Sequence, residues 1–147
     1  MAGLVVGADQ GAKALVRRWL PPGESIPILP PVFHLTHVQN TGAAFGLFQG
    51  YAGAFIVCSL AIGVWIILQL SSTRRRDGWL IPISLSLVLG GAVGNAIDRL
   101  CAGFVTDFLD FRVWPVFNIA DSAITVGVAL LIWQTLRGEP SEPSRPR

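Results

Sequence analysis

Tyr51–Leu70 has the sequence YAGAFIVCSLAIGVWIILQL, an uncharged stretch about twenty residues long. An apolar helix of that length crosses the roughly 30 Å hydrocarbon core of a bilayer. The stretch lies within a longer segment, Ile26–Thr73, that contains no Asp, Glu, Lys or Arg. The whole chain is 52% hydrophobic and 14% charged, whereas about a quarter of the residues in soluble domains are charged. The composition therefore predicts a membrane protein.

Three other segments complete the predicted helices. Trp79–Ile97 and Trp114–Leu136 are apolar runs of membrane-spanning length. Near the N-terminus, only a short apolar run precedes Asp9, and basic residues follow it, which is the reverse of the order in a signal peptide. If residues 26–48 lie outside, as the orientation below places them, an N-terminal helix must start inside. We therefore predict a membrane all-α fold, a four-transmembrane-helix bundle. Its helices are expected at about residues 1–20, 51–70, 79–99 and 114–136.

The distribution of Lys and Arg predicts the orientation of this bundle. Arg74–Arg76 between the second and third helices, and the arginines after the last helix, share one side if the Leu100–Val113 loop lies on the other. That arrangement places six basic residues in the cytoplasm and five outside. Both termini are then cytoplasmic. Residues 1–137 form one membrane domain, and Gly138–Arg147, rich in Pro, Ser and charge, is expected to be a disordered cytoplasmic tail.

The segment at about residues 26–48 is predicted to be a small β element on the outer face of the membrane. Pro27, Pro30 and Pro31 exclude a helix at its start. Phe33–Val38 (FHLTHV) alternates as a short strand does. His34 and His37 are three residues apart, so on a strand they point to opposite faces, which argues against a shared metal ion.

Several functional classes find no support in the composition. A net charge of +2 without a basic, aromatic-rich stripe argues against nucleic acid as a partner. Cys58 lies in an apolar span and Cys101 has no nearby His, so neither is expected to act as a catalytic thiol. The closely spaced Gly90, Gly91 and Gly94 indicate close helix packing in lipid. No zinc-protease motif occurs, and we expect neither a metal nor a cofactor.

Two aspartates, Asp107 and Asp121, carry the predicted chemistry. Ionisable groups beside membrane spans are costly, and their presence there indicates function. Two carboxyl groups a few ångströms apart share one proton, so that one can accept a proton from water while the other polarises a carbonyl group. Such a pair hydrolyses a peptide bond without a covalent intermediate. Asp110, three residues after Asp107, is the rival carboxylate.

Three other interpretations of the polar residues stay open at this point. Asp9, Lys13, Asp98 and Arg99 fit equally well into a structural network that pins helix ends. A transporter or channel with carboxylates that relay protons is a second possibility, although neither half of the chain resembles the other, as halves often do in transporters. A small scaffold protein without chemistry is the third.

Five short motifs together resemble the bacterial lipoprotein signal peptidases, or signal peptidase II family. In chain order they are Asp9-Gln-Gly-Ala-Lys13, Asn40-Thr-Gly-Ala-Ala-Phe45, Gly94-Asn-Ala-Ile-Asp98-Arg99, Gly103-Phe-Val-Thr-Asp107-Phe108 and Phe117-Asn-Ile-Ala-Asp121-Ser122. Each string alone is weak, but five in this order, spread across four predicted helices, are specific. The loop between the last two motifs looks compact, with Arg112–Pro115 as most of its turn.

The resemblance implies an aspartic endopeptidase of the bacterial inner membrane whose active site lies near the outer leaflet. Its substrates would be prolipoproteins that carry a diacylglyceryl cysteine, cut immediately before that cysteine, and globomycin-type compounds would inhibit it. By motif position, Asp107 and Asp121 would be the catalytic pair. The resemblance also implies that four positions order the site and engage the substrate: Asn40, Asn95, Arg99 and Asn118. Asp9 and Lys13 would have a more structural role.

Overall fold

The computed structural model describes residues 1–42, 52–72 and 79–137. Within them the chain is mostly helical, as the sequence predicts, with one small antiparallel sheet that includes the described part of the predicted β element. The elements in order are α1 (Ala2–Trp19), β1 (Ser25–Leu29), β2 (Phe33–Asn40), α2 (Ala52–Ser72), α3 (Leu80–Ala102), β3 (Val105–Asp110) and α4 (Ile119–Arg137). The last part of the predicted β element, residues 43–48, and the predicted tail, residues 138–147, lie outside the described residues.

Two of the described helices, α3 and α4, are long and apolar enough to cross a membrane. In α2 the apolar run within the described residues is shorter, Val57–Gln69. The remaining helix, α1, has 18 residues and buries a polar pair, Asp9 and Lys13, together with Val16. These three residues lie on one face because their spacings are close to whole helical turns. The helix ends before Pro21 and Pro22, which cannot continue it.

Glycines of α3 allow three helices to approach one another closely. A Cβ at Gly90 would lie 2.8 Å from the carbonyl oxygen of Ala2 in α1. A Cβ at Gly91 would meet the carbonyl oxygen of Ala120 in α4, and one at Gly94 would lie 2.7 Å from Oδ2 of Asp9. No side chain fits at these positions, so α1 and α4 pack against the bare backbone of α3. The predicted role of these glycines in helix packing is confirmed.

The sheet has the strand order β1-β2-β3, and all neighbours are antiparallel. The predicted strand at Phe33–Val38 is confirmed as part of β2. The prediction of Leu100–Val113 as a loop is wrong, because Val105–Asp110 forms β3 and pairs with β2. Its side chains are almost all buried, polar and apolar alike, so the alternation that marks a half-exposed strand is absent.

The last helix begins five residues later than predicted. Trp114–Asn118 is not helical, and Phe117 instead forms a bridge with Leu109 at the edge of the sheet. The carbonyl oxygen of Phe117 accepts hydrogen bonds from the backbone N–H groups of Phe108 and Leu109, at 2.9 and 2.8 Å. Pro115 cannot donate a backbone hydrogen bond inside a helix, which favours this extended path. The chain thus joins the sheet to the start of α4.

Candidate active site

Asp107 and Asp121 lie on different elements but line the same cavity. Asp107 is on β3, and Asp121 is in the first turn of α4. The cavity has a volume of about 1030 Å³. Its polar wall includes three more of the predicted site residues, Asn40, Asn95 and Arg99. The structure therefore brings together five of the residues singled out in the sequence.

Asp107 is buried, and both of its carboxylate oxygens accept hydrogen bonds from amide side chains. Nδ2 of Asn118 donates to Oδ1 over 2.6 Å, and Nδ2 of Asn40 donates to Oδ2 over 2.9 Å. The register of the sheet explains the contact with Asn40. Val38 is opposite Asp107 and Asn40 is opposite Val105, so Asn40 and Asp107 are diagonal neighbours on one face of the sheet. Only 2% of Asp107 is exposed.

Asp121 is held by the start of its own helix. The side chain of Asn118 accepts a hydrogen bond from the backbone N–H of Asp121 at 2.9 Å, and the Asp121 carboxylate accepts one from the backbone N–H of Asn118 at 3.3 Å. This reciprocal arrangement is that of a capping box. Nδ2 of Asn95 donates to the other carboxylate oxygen of Asp121 over 2.7 Å. Asn118 therefore contacts both aspartates.

Burial raises the pKa of Asp107 to about 7, from an ordinary value of 3.8, because the ionised form loses its hydration. The hydrogen bonds from Asn40 and Asn118 act in the opposite direction, whereas the charge of Asp121 adds to the increase. A carboxyl group with such a pKa exchanges its proton near neutral pH, which is the property that general acid–base catalysis requires.

The raised pKa of Asp107 predicts how stability depends on pH. The folded state favours the protonated carboxyl, so its stabilising contribution is complete below about pH 4 and is lost as the pH rises through about 7. Between pH 5 and pH 8 the wild type should lose on the order of 2 kcal/mol more than Asp107→Asn, which does not titrate. Thermal unfolding in detergent at both pH values measures this difference. Parallel losses in the two proteins would contradict the prediction.

Asp9 and Lys13 lie beside the cavity in a buried cluster of charges. Nζ of Lys13 is 2.8 Å from Oδ2 of Asp9 and 3.1 Å from Oδ2 of Asp98, and all three side chains are almost fully buried. Arg17 pairs with Asp98 at 3.3 Å. Oδ1 of Asp9 also accepts a hydrogen bond from the backbone N–H of Ala120 at 2.9 Å. The cluster thus joins α1 to α3 and to the start of α4.

Arg99 contributes a positive charge to the wall of the cavity. One of its guanidinium nitrogens donates to the carbonyl oxygen of Gly42 over 3.1 Å. This contact connects the end of α3 to the chain just beyond β2. The guanidinium group is thereby held at the wall of the cavity that Asp107 and Asp121 also line.

Asp110 belongs to a different surface from the aspartate pair. It does not line the cavity, and its carboxylate accepts hydrogen bonds from Thr36 and Arg112. Burial opposes its ionisation, but the hydrogen bonds from Thr36 and Arg112 outweigh burial and lower its pKa. This environment favours a permanently ionised structural carboxylate.

Neither histidine belongs to the cavity. Nδ1 of His37 is 2.7 Å from the carbonyl oxygen of Leu20, at the end of α1. Within residues 1–42, 52–72 and 79–137, no group of three or more metal-ligating side chains is close enough to hold an ion.

Two contributors to the site were not predicted from the sequence. Gln10 donates hydrogen bonds to Asp9 and Asp98, and Thr106 binds Arg17 and, through its backbone N–H, Asp98. Gln10 lies within the first motif and Thr106 within the fourth, directly beside residues that were named. Their polar side chains in apolar surroundings were a signal that could have identified them.

Comparison with known proteins identifies relatives across nearly the whole chain. The sequence model of the family described as signal peptidase (SPase) II matches residues 1–137. The lipoprotein signal peptidase of Halothermothrix orenii is 46% identical over 134 residues, which cover 89% of this chain and 91% of the relative. That of Moorella thermoacetica is 47% identical over 136 residues, which cover 92% and 90%.

Two solved structures of bacterial membrane enzymes, both obtained by the in meso method, share the fold. The first has a TM-score of 0.89 and 30% identity, and the match covers 99% of this chain and 91% of that chain. The second has a TM-score of 0.84 and 31% identity, with coverages of 94% and 91%.

Proposed function

The chain belongs to the signal peptidase II family of proteases, and from this we propose that it is an aspartic endopeptidase that uses Asp107 and Asp121 to activate water. The observation that carries the proposal is that both carboxyl groups line one cavity, each fixed by amide donors. Described residues from each of the five motifs line this cavity or belong to the ion cluster beside it.

The two environments favour different roles for the two carboxyl groups. Asp121 lies at a helix N-terminus, where backbone N–H groups and the helix dipole stabilise negative charge, so we assign it as the base that takes a proton from water. Asp107, with a pKa of about 7, holds the proton that polarises the scissile carbonyl. After attack, the proton on Asp121 passes to the leaving amine, and no covalent intermediate is needed.

We propose that the substrate is a prolipoprotein that carries a diacylglyceryl group on its cysteine, and that cleavage occurs immediately before that cysteine. The relatives named above are lipoprotein signal peptidases. The cavity also fits a substrate with peptide and lipid parts, because its polar wall continues into an apolar one that includes Trp114, Phe117, Ile124 and Val126. Globomycin-type inhibitors are expected to compete for the same cavity.

We also propose that all four helices cross the bacterial inner membrane, with both termini cytoplasmic and the active site near the outer leaflet. All five tryptophans are at least half exposed, and four of them lie near the ends of helices, as expected of side chains at a membrane–water interface. Trp19 and Trp114 lie at the sheet end of the helices, whereas Trp79 and Trp133 lie at the opposite end, where α3 begins and α4 finishes. Two such levels fit the two faces of a bilayer.

Cleavage of a defined substrate tests the proposed activity. Purified protein in detergent should release the signal peptide from a diacylglyceryl-modified prolipoprotein and leave the lipidated cysteine at the new N-terminus, which mass spectrometry identifies. The matched control is the same prolipoprotein without the lipid, which should be cleaved at least about 100-fold more slowly, since the apolar wall then contributes no binding energy. Equal rates for both substrates would contradict the proposed substrate class. If neither substrate were cleaved, the proposed activity would be contradicted.

Labelling of cysteines tests the proposed orientation. Cys101 is exposed at the end of α3, so a membrane-impermeant maleimide added to intact spheroplasts should modify it. In a Cys58→Ser/Cys101→Ser background, Leu136→Cys at the C-terminal end of α4 should react only after the membrane is permeabilised. Labelling of both positions from the same side would exclude the proposed topology.

A further inference from the structure

Three asparagines surround the aspartate pair, and each must present its NH2 group to a carboxylate. A carboxamide can turn either its oxygen or its NH2 group towards a neighbour, but only the NH2 group can donate to a carboxylate. In this structure Asn40 and Asn118 donate to Asp107, and Asn95 donates to Asp121. The orientation of each amide therefore determines whether the neighbouring oxygen meets a donor or a repelling lone pair.

A donor on the oxygen of each amide fixes its orientation. Oδ1 of Asn40 accepts from the backbone N–H of Gly42 at 3.0 Å, and Oδ1 of Asn118 accepts from the backbone N–H of Asp121 at 2.9 Å. Both of these donors belong to the main chain and follow from local folding. Oδ1 of Asn95 accepts instead from Nζ of Lys13 at 2.9 Å, and from Nδ2 of Asn118 at 3.1 Å.

Resting on the proposed function, we propose that Lys13 is a positioning residue of the active site, whose buried ammonium holds the Asn95 amide with its NH2 group towards Asp121. An ammonium can only donate, so the Asn95 oxygen must face it. The ammonium is fully buried and is itself held by Asp9 and Asp98. Lys13 thus acts on Asp121 through Asn95, without touching the cavity.

The same contacts extend from Lys13 to Asp107. Once the Asn95 oxygen faces Lys13, it can also accept from Nδ2 of Asn118, and that amide group donates to Asp107. The chain of donors runs in one direction only, since reversal of Asn95 would set its NH2 group against both Lys13 and Asn118. Lys13 therefore orients the donor to Asp121. The Asn118 donor to Asp107, which the backbone N–H of Asp121 orients, is connected to Lys13 only through the shared Asn95 oxygen.

A pair of substitutions tests this role without leaving an unpaired buried charge. Lys13→Met alone would strand the carboxylates of the cluster, so Asp9→Asn/Lys13→Met, which removes one charge of each sign, is the main variant. Asp9→Asn alone is its matched control. We expect kcat of the double variant to fall about 10- to 100-fold below that of the control, the scale at which supporting partners affect metal-site ligands. KM and the unfolding midpoint should stay close to those of the control.

A cycle with Asn95→Ala separates positioning from a purely structural role. If Lys13 acts through Asn95, the effect of Lys13→Met should almost disappear once Asn95 is replaced by Ala. In the Asn95→Ala background, kcat of Asp9→Asn/Lys13→Met should differ from kcat of Asp9→Asn by less than about threefold. Multiplicative losses, or a double variant whose kcat equals that of Asp9→Asn, would overturn the inference. Failure of the double variant to fold would also overturn it, because Lys13 would then be needed for the fold itself. Without cleavage by the wild type, both this inference and the proposed function would fall. Normal cleavage by the wild type and the double variant alike would remove only the inference.

Discussion

Asp107→Asn is expected to reduce cleavage of a lipidated prolipoprotein by about 10²- to 10⁴-fold, the usual contribution of a general acid or base. The side chain has the same shape as aspartate, so the fold should persist. It cannot release or receive a proton, however, and its NH2 group would face one of the two amide donors, from Asn40 or Asn118, that now bind the carboxylate. Single-turnover rates in detergent, together with the unfolding midpoint, measure the effect.

Asp110→Asn is the matched control for this loss. It lies on the same strand, three residues on, and its carboxylate is occupied by Thr36 and Arg112 outside the cavity. We expect its cleavage rate to stay within about threefold of the wild type, with a modest loss of stability of about 1–3 kcal/mol from the charged hydrogen bonds. If Asp110→Asn were inactive while Asp107→Asn retained activity, the assignment of the pair would be wrong.

Gly91→Ala is expected to destabilise the fold by about 1–3 kcal/mol or more, the range for overpacking of a tight interior. The added methyl group would meet the carbonyl oxygen of Ala120 and would lie 2.7 Å from Cγ1 of Ile124. A backbone carbonyl cannot move aside as a flexible side chain can, so α3 and α4 must separate. Because Ala120 immediately precedes Asp121, this separation should also lower the cleavage rate of the molecules that remain folded.

Gly7→Ala provides the comparison for a helical glycine without close neighbours. A Cβ at Gly7 of α1 would have no atom within 4 Å. Its replacement should be neutral or stabilise the helix by up to about 1 kcal/mol, because alanine has the higher helix propensity. The difference between the two unfolding midpoints is the measurement. Equal stability of Gly91→Ala and Gly7→Ala would show that the contact between α3 and α4 is less tight than the structure indicates.

The helices were the most predictable part of the fold. Long uncharged stretches such as Trp79–Ile97 identify a spanning helix by composition alone, and the structure has α3 there. The start of α4 was misplaced because Trp114–Asn118 is as apolar as the helix itself. The helix begins at the capping arrangement between Asn118 and Asp121. Because the residues before it are also apolar, hydrophobicity alone does not locate this boundary.

The third strand could not be predicted from local pattern. Thr106 and Asp107 are polar but buried, like the apolar residues of the same strand, so the strand lacks the alternation of exposed polar and buried apolar side chains. Its partner, β2, lies more than sixty residues earlier in the chain, and pairing over such distances depends on the assembled fold. The motifs named Asn40 and Asp107 as site residues, but only the register of β2 with β3 shows why they meet.

The measurement that tests the central claim most directly is the single-turnover rate of four proteins: the wild type, Asp107→Asn, Asp121→Asn and the variant with both changes. If the two carboxyl groups work as one unit that shares a proton, each single variant should be slowed nearly as much as the double variant, as happens when residues act together in catalysis. Losses that multiply, or a rate above a tenth of the wild type in either single variant, would contradict the account.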